Sequence, residues 1–351
     1  MSWYPRFSTS KLSYYHQIPK VDLHRHLEGS LRVSTLLEIA RQHGLQLPES
    51  DFHTLVQMQP GDSLDFTTFL SKFQTLRQFY RSPEVISRIT HEAIADAAAD
   101  GVVYLELRFT PVALGRLQGF SLARVMDWVA RSADEAGRQY HLHTRLIASV
   151  NRHEPVELAE EVARLAVERM DQGIVGLDLA GNEAVYPAAP FAGVFREARE
   201  SGLHITVHAG EWGGPENIRH AILELGAERI GHGVRVIEDP AIMDLVRERQ
   251  VPLEVCVTST YQSGVVPTLD DHPLPRLIQA GLNVTLNTDD PSISNITLTD
   301  EYRLFLEDFA LPPAALTECI AHAARASFLP EKLSRALEGN LRRTLKTRLG
   351  T

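Results

Sequence analysis

Three well-separated segments of the chain combine histidines with acidic residues. They are His24-Arg25-His26, His208-Ala209-Gly210-Glu211 and Thr288-Asp289-Asp290, and each lies at or just beyond the end of a short apolar run. Together they offer three imidazoles and a carboxylate to one divalent cation, with a further acid alongside. Nitrogen and oxygen ligands of this mix suit zinc, with iron, cobalt or manganese as alternatives. A metal-assisted hydrolase would use such a site to lower the pKa of a bound water toward about 7.

The pair His24 and His26 is spaced as two ligands in an extended segment would be. Alternation along a strand points residues two apart to the same face, so both imidazoles can reach one ion. Alone, such a pair is a weak signal, and a chance surface pair is the simpler interpretation. His208 and Asp289 favour the metal interpretation because they complete a four-ligand set.

Three more residues allow two interpretations each. Glu211 is either a first-turn acid favoured by a helix dipole or an enclosed carboxyl whose raised pKa lets it donate a proton. His232, between two glycines, is either a core histidine or a catalytic group that a ligand can approach closely. Asp289 and Asp290 precede a proline and form either a turn or a pair that faces the metal on one side and the substrate on the other.

Short β-rich runs alternate with helical patterns along most of the chain. We predict strands over 20–24, 102–109, 143–150, 173–179, 204–208, 229–232, 252–256 and 282–287, and helices over 156–170 and 191–199. Eight strand-helix units predict an α/β fold in which a parallel sheet closes into a (β/α)8 TIM barrel. Its C-terminal face would gather the candidate residues. An open doubly wound sheet is the alternative, but it requires a glycine-rich phosphate loop after the first strand, and residues 24–30 form none.

Residues from about 30 to 100 predict a helical, lid-like insertion after the first strand, within one domain spanning 1–351. A dense apolar stripe runs through it, formed by Leu64, Phe66, Phe69, Leu70, Phe73, Leu76, Phe79 and Tyr80. Ordinary helix packing is the simpler interpretation of this stripe. The other is that part of it covers the barrel mouth, where it would exclude water and offer an apolar wall to a flat ligand.

Composition excludes several classes of protein. The formal net charge of -10 comes with no basic stripe, which argues against a nucleic-acid partner. No run reaches the roughly 20 apolar residues of a membrane helix, and the first 20 residues lack the apolar core of a signal peptide. Two cysteines predict no disulfide framework and indicate a reducing cytoplasm. The pattern leaves the oligomeric state open.

At this level of detail the chain resembles the adenosine deaminase family of the amidohydrolase superfamily, over roughly residues 20–302. The similarity lies in residues 20–29, 178–183, 208–211, 231–233 and 286–291, which follow the family's order and context. It implies hydrolysis of the 6-amino group of adenosine, or of a closely related 6-aminopurine nucleoside, to the 6-oxopurine (inosine) and ammonia. It also implies one zinc ion per chain and a small-molecule purine substrate.

The resemblance assigns a role to each matching residue. The implied zinc ligands are His24, His26, His208 and Asp289. Glu211 would protonate the ring nitrogen N1, His232 would orient the attacking hydroxide, and Asp290 would hydrogen-bond both the hydroxide and N7. The backbone N–H of Gly181 would meet N3, and Glu28 would lie on the sugar side of the substrate.

Three departures from the family pattern concern the substrate. Glu28 stands where adenosine deaminases of the animal type carry an aspartate that binds the ribose 5′-hydroxyl, and Asn182 replaces a frequent aspartate. Residues 256–260 lack the proline that follows the cysteine in most relatives. An adenine deaminase, or an aminodeoxyfutalosine-type deaminase with an extended 5′ group, therefore stays open as an alternative.

Two further alternatives are less favoured. A two-metal amidohydrolase would place a carboxylated lysine on the fourth strand, and residues 173–179 contain no lysine. A catalytically silent relative would be expected to have lost a ligand or the acid, and this chain retains all of them.

Overall fold

Eight parallel strands form the central sheet in the computed structural model, which describes residues 14–46 and 51–350. The strands are β1 Lys20–His26, β2 Val102–Phe109, β3 His143–Asn151, β4 Ile174–Ala180, β5 His204–Ala209, β6 Arg229–His232, β7 Leu253–Val255 and β8 Val284–Leu286. They are hydrogen-bonded in chain order from β1 to β8. The segment after β8 then meets β1, where Arg25 pairs with Asp289 in parallel. The sheet is therefore nearly closed into a barrel.

Helices lie between successive strands and after the last one. They are α1 Val33–His43, α2 Phe52–Val56, α3 Phe66–Leu76, α4 Pro83–Ala99, α5 Pro111–Arg116, α6 Leu122–Tyr140, α7 Val156–Val167, α8 Ala192–Glu200, α9 Glu216–Leu223, α10 Pro240–Glu248, α11 Val257–Gln262, α12 Leu274–Gln279, α13 Pro291–Ser294, α14 Leu298–Arg303, α15 Pro313–Ala326 and α16 Glu331–Leu349. The helices α1 to α4 all lie between β1 and β2. The predicted (β/α)8 barrel is confirmed.

The predicted bounds of the strands and helices agree best with the structure where residues that end such elements lie close to their limits. The strands β2 and β6 match residue for residue, whereas β1 extends two residues beyond its prediction, to His26, because it pairs with both β2 and the segment after β8. The helix predicted over 156–170 ends at Val167, and a 3-10 turn leads into Gly173, whose φ of 94° stops helical growth.

The helix α3 shows how the apolar stripe is divided. Its first turn is capped by Asp65, whose side chain accepts the N–H of Thr68 at 2.8 Å. Leu76 is fully buried, and Phe79 in the following 3-10 turn packs edge-on against Phe52 of α2, with ring centroids 5.9 Å apart. The C-terminal part of the stripe is therefore core packing, and only its N-terminal part is free to face the barrel mouth.

Within residues 14–46 and 51–350, none of the helices combines the length and the hydropathy that crossing a bilayer requires.

Candidate active site

The four residues predicted to bind a metal meet at the C-terminal end of the barrel. His24 and His26 lie on β1, His208 on β5 and Asp289 just after β8. His26 Nε2 is 3.2 Å from His208 Nε2 and 3.4 Å from Asp289 Oδ1. His24 Nε2 is 3.2 Å from the same carboxylate oxygen. Ligands about 2.0–2.1 Å from one tetrahedral zinc lie roughly 3.3 Å apart, so the spacing and type of these donor atoms fit a zinc-sized ion.

His232 is a further nitrogen donor in the same cluster. Donor atoms of His24, His208, His232 and Asp289 lie within 4.8 Å of one another. His232 Nε2, however, is 3.6 Å from Glu211 Oε2 and 4.0 Å from Asp289 Oδ2, farther than neighbouring ligands of one small ion. Its Nδ1 is buried and has no hydrogen-bond partner in the described part of the chain, whereas metal-binding histidines usually donate that N–H to a partner. His232 therefore fits a place beside the ion better than a place among its ligands.

Two of these residues have an unusual backbone. His232 has a φ of 61° and Asp289 a φ of 62°, in the left-handed region that residues other than glycine seldom adopt. Such a conformation costs about 1–3 kcal/mol and persists only where the surroundings fix it. At Asp289 they do, because its N–H donates to the carbonyl of His24 at 2.7 Å and its carbonyl accepts the N–H of His26 at 2.8 Å. The strained turn directs the carboxylate back toward the imidazoles.

Buried carboxylates orient two of the candidate ligands. His24 Nδ1 lies 2.8 Å from Glu254 Oε2, and His208 Nδ1 lies 2.9 Å from Asp178 Oδ1. Each carboxylate occupies Nδ1 and leaves Nε2 of its histidine directed at the cluster, which is the arrangement that metal sites use to fix a tautomer and raise ligand basicity. Ser259 supplies a third support by donating its hydroxyl to Asp289 Oδ2 at 2.6 Å.

These carboxylates belong to a charged network inside the barrel. Arg108 contacts Glu254 at 2.7 Å and Asp178 at 3.4 Å, and Arg229 contacts Glu254 and Glu106, both at 2.6 Å. Burial favours protonation of Glu254, but the two guanidinium groups and His24 hold its pKa well below the usual range. These ion pairs hold the buried carboxylates in fixed positions beside the histidines. This network was not predicted from the sequence, although charged residues inside buried strands are a visible signal, since they are almost never fully buried unless paired.

Asp178 offers a test of this support. We expect Asp178→Asn to lower the affinity for zinc by about 10–100-fold, because the His208 ring loses its ionic partner. Chelator competition measures that affinity directly. Ser149→Ala is the matched control, since Ser149 donates to the other oxygen of Asp178, at 2.9 Å, and does not touch the histidine. Equal zinc affinity in Asp178→Asn and the unmodified protein would contradict the role.

Glu211 lies buried in the loop that follows β5. Glu183 holds this loop by accepting the backbone N–H groups of Glu211 at 2.6 Å, Gly213 at 3.0 Å and Gly210 at 2.9 Å. Burial raises the pKa of Glu211 well above its usual value, and the charges of Asp289 and Glu183 act in the same direction. The raised pKa favours the protonated form of Glu211, which is the form that can donate a proton. The sequence analysis missed Glu183 as an anchor, because nothing local in the sequence links it to a loop 27 residues away.

Asp290 is a second buried acid with the properties of a donor. Burial raises its pKa well above the usual value, and the carboxyl groups of Asp289, Glu28 and Glu211 add to the effect. Its Oδ1 has no hydrogen-bond partner among the described residues. Gly29 packs directly on this carboxyl, because a Cβ at that position would overlap the Asp290 side chain. Asp290 is thus a buried acid whose raised pKa favours the protonated form and whose Oδ1 is available to a ligand.

A cavity of about 110 Å³, here called the inner cavity, opens at these residues. Its lining consists of His26, Glu28, Phe69, Leu70, Phe73, Arg77, Thr110, Ala113, Asn151, Ala180, Gly181, His208, Glu211, Trp212, His232, Asp289 and Asp290. The α3 residues Phe69, Leu70 and Phe73 form an apolar wall, and Phe66 approaches Trp212 with ring centroids 5.6 Å apart. Larger hollows, such as the one of about 730 Å³ beside Asp127, contain none of the predicted site residues.

Comparison with known proteins identifies the family of this chain. The family model for adenosine deaminase matches residues 19–344. The chain belongs to the adenosine deaminase family. One similar protein is an adenosine deaminase from Klebsiella pneumoniae, which is 38% identical over 323 residues. The aligned region covers 91% of this chain and 96% of that relative.

Two solved structures of similar proteins share the barrel. Adenine deaminase from Arthrobacter aurescens is 27% identical with a TM-score of 0.85, and the likeness covers 95% of this chain and 99% of that one. The Arabidopsis protein ADAL, crystallised with IMP, is 28% identical with a TM-score of 0.85, and the likeness covers 96% of this chain and 99% of that one. The family resemblance predicted from the motifs is confirmed.

Two departures from the family pattern now have locations. Glu28 lines the inner cavity, where its Oε1 accepts the N–H of Thr110 at 2.6 Å and its buried Oε2 has no partner in the described residues. Burial raises the pKa of Glu28 to about 7, against the opposing effect of the Thr110 N–H. Asn182 accepts the N–H of Ala184 at 3.0 Å, so its side chain stabilises a turn. Gly181, beside it, lines the cavity with a φ of 96°.

Proposed function

We propose that the protein hydrolyses the 6-amino group of adenosine, or of a closely related 6-aminopurine nucleoside, to give the 6-oxopurine (inosine) and ammonia. Membership of the adenosine deaminase family supports the class of hydrolytic deaminase, and the Arabidopsis neighbour holds a 6-oxopurine nucleotide. The observation that carries the proposal is a buried Glu211, with a pKa raised well above its usual value, in the same cavity as the candidate metal donors.

We assign the metal as one zinc ion per chain. The proposed ligands are His24, His26, His208 and Asp289. The spacing of their donor atoms and the carboxylate partners of His24 and His208 support this assignment. When bound, zinc supplies a Lewis acid that lowers the pKa of water to about 7.

The remaining groups handle protons and orientation. Glu211 donates its proton to N1 of the purine, which makes C6 electrophilic toward the attacking oxygen. His232, with its Nε2 toward Glu211 and Asp289, orients that oxygen. The raised pKa of Asp290 favours a carboxyl that can donate a hydrogen bond to N7, because N7 is an acceptor. The N–H of Gly181 meets N3, and Glu28 faces the sugar.

We further propose that α3 covers the mouth of the site and that residues 1–351 act as one hydrolase domain on a small purine. The apolar wall of Phe69, Leu70 and Phe73 supports the first point, since a covered site excludes water. The free, buried thiols of Cys256 and Cys319 are compatible with the proposed cytoplasmic location. The net charge of -10 supports the absence of a nucleic-acid partner.

Gly29 provides a test of Asp290 that leaves every acid in place. We expect Gly29→Ala to lower kcat/KM for adenosine about 100-fold, since the added methyl displaces the Asp290 carboxyl and a shift of about 1 Å can cost that much. Gly193→Ala, in α8, is the control because its added Cβ meets open space. Activity within threefold of the unmodified protein in Gly29→Ala would show that the position of Asp290 is not critical.

A substrate panel decides between the proposed nucleoside and its alternatives. Adenosine, deoxyadenosine and adenine are followed by the absorbance change of the purine, with zinc content measured on the same samples. We expect the nucleosides to turn over with one zinc per chain. Adenine is the second candidate, favoured by the small inner cavity and by the Arthrobacter neighbour. Turnover of adenine alone would exclude the nucleoside, and no turnover by zinc-loaded protein would exclude deamination.

A further inference from the structure

A second cavity continues the inner cavity outward. This outer cavity, of about 210 Å³, shares Arg77, Ala113 and Asn151 with the inner one and is completed by Gln78, Arg116, Leu117 and Glu154. The inner cavity of about 110 Å³ is smaller than the roughly 300–1,000 Å³ usual for small-molecule sites, and the two together reach the lower end of that range. The ligand space therefore extends beyond the metal cluster.

The charged groups that line the two cavities follow one another from the metal cluster outward. The donors around Asp289 lie at one end, Glu28 lies on the inner cavity only, and Arg77 lines both cavities. In the outer cavity, Arg116 is already paired, since its guanidinium contacts Glu154 at 2.6 Å. A ligand that reaches outward from the metal end passes Glu28 before it meets Arg77.

Arg77 is the cation in this path that forms no salt bridge with a described side chain, although its charge is near enough to Glu28 to lower the pKa of that carboxyl. It lies in the 3-10 turn Arg77–Phe79 at the end of α3, and its exposed side chain makes no hydrogen bond or salt bridge with other described residues. The neighbouring Arg81, by contrast, donates to the carbonyl of Gln78 at 2.8 Å and lines neither cavity. An exposed guanidinium between two cavities, with no hydrogen-bond partner of its own among the described residues, is suited to an anion, because its planar donors match the oxygens of a carboxylate or phosphate.

We propose that the physiological substrate is a 6-aminopurine nucleoside with an anionic group beyond its 5′ carbon, bound by Arg77 at the junction of the two cavities. The inference rests on the proposed function, which directs the base to the metal cluster and the sugar to Glu28. Phosphate and carboxylate share the chemistry that Arg77 recognises. An anion placed there gains a charge-assisted contact, and its uncharged counterpart leaves Arg77 solvated.

The experiment compares kcat/KM for four substrates in the zinc-loaded full chain. Adenosine 5′-phosphate and 5′-carboxymethylthio-5′-deoxyadenosine carry the anion beyond the 5′ carbon, 5′-methylthioadenosine has a longer but neutral 5′ group, and adenosine is the reference. We expect at least one anionic substrate to exceed both neutral ones by roughly 10–100-fold, the effect of one charge-assisted hydrogen bond. Comparison of the phosphate-bearing and the carboxylate-bearing substrate shows which of the two anions the site prefers.

Variants assign that preference to Arg77. Arg77→Gln should reduce the anionic-to-neutral ratio of kcat/KM toward 1, mainly through KM, and Arg77→Lys should restore part of it. Arg81→Gln is the matched control and should keep the ratio of the unmodified protein. A preference for neutral substrates, or an anionic preference that survives Arg77→Gln, would overturn the inference.

Binding of products separates this inference from the proposed function. Calorimetry compares inosine 5′-phosphate and 5′-carboxymethylthio-5′-deoxyinosine with inosine, and needs no turnover. Tighter binding of an anionic product, lost in Arg77→Gln, would support the anion site even if deamination failed. Turnover of adenosine with equal or weaker binding of both anionic products would retain the deaminase and exclude the anion site.

Discussion

Glu211→Gln is expected to retain its zinc and to lose about 10²–10⁴-fold in kcat, the usual contribution of a general acid. Glutamine keeps the shape of the side chain and can occupy the same buried site, but it cannot deliver a proton to N1. Because the acid acts on the transition state, kcat and kcat/KM should fall together. Steady-state kinetics and zinc content, measured on one preparation, test both halves of the expectation.

The control for this change lies a few residues further along the chain. Glu216, in the first turn of α9, is exposed and pairs only with neighbouring side chains of its own helix. Glu216→Gln makes the same substitution at an exposed position and should leave kcat unchanged. Near-normal turnover in Glu211→Gln would refute the proton-donor role, and a loss of zinc in that variant would make Glu211 part of the metal site.

Asp289→Ala is expected to abolish metal retention. It removes the only carboxylate in the proposed ligand set, so zinc affinity should fall by more than about 100-fold, beyond the 10–100-fold effect of losing an outer partner. Zinc per chain after dialysis, together with chelator competition, measures the loss. Undiminished zinc would mean that Asp289 is not a ligand.

Two companion variants separate the ligand from its surroundings. Asp289→Asn keeps the size of the side chain and tolerates the left-handed backbone at φ 62°, so zinc loss in this variant reports on the carboxylate rather than on strain. Ser259→Ala removes only the hydroxyl that donates to Asp289 Oδ2. It should weaken zinc binding less than either change at Asp289, and the reverse order would place the decisive interaction at Ser259.

The site residues that lie at the ends of strands could be predicted from the sequence. Residues such as His24 and His208 each follow an apolar run, and a parallel barrel brings the ends of all its strands to one face. The fold could be predicted for the same reason, since alternating strands and helices leave few ways to bury both faces of a sheet. The bounds of β2 and β6 were predicted correctly because glycine or charged residues mark their limits.

The partners of those groups could not be predicted in the same way. Glu254 and His24 are 230 positions apart, and alternation along β7 shows that Glu254 faces inward without showing which residue lies across the barrel. The same holds for Glu183, which anchors the Glu211 loop, and for Ser259. These contacts depend on barrel diameter and strand stagger, which a single sequence does not specify.

The meeting point of the first and last strands has a consequence for how the fold holds together. Between β1 and β8 the barrel has one isolated bridge in place of a regular ladder, and Leu23 and Asn287, joined by a side-chain hydrogen bond there, are 264 positions apart. A bound ion would tie His24 and His26 to Asp289 across this same junction. It would cross-link two segments that are far apart in the sequence. A cross-link that closes such a long loop removes much of the conformational entropy of the unfolded chain. Metal binding would then stabilise the closed barrel against unfolding, so the chain should resist heat and denaturant better with the ion than without it.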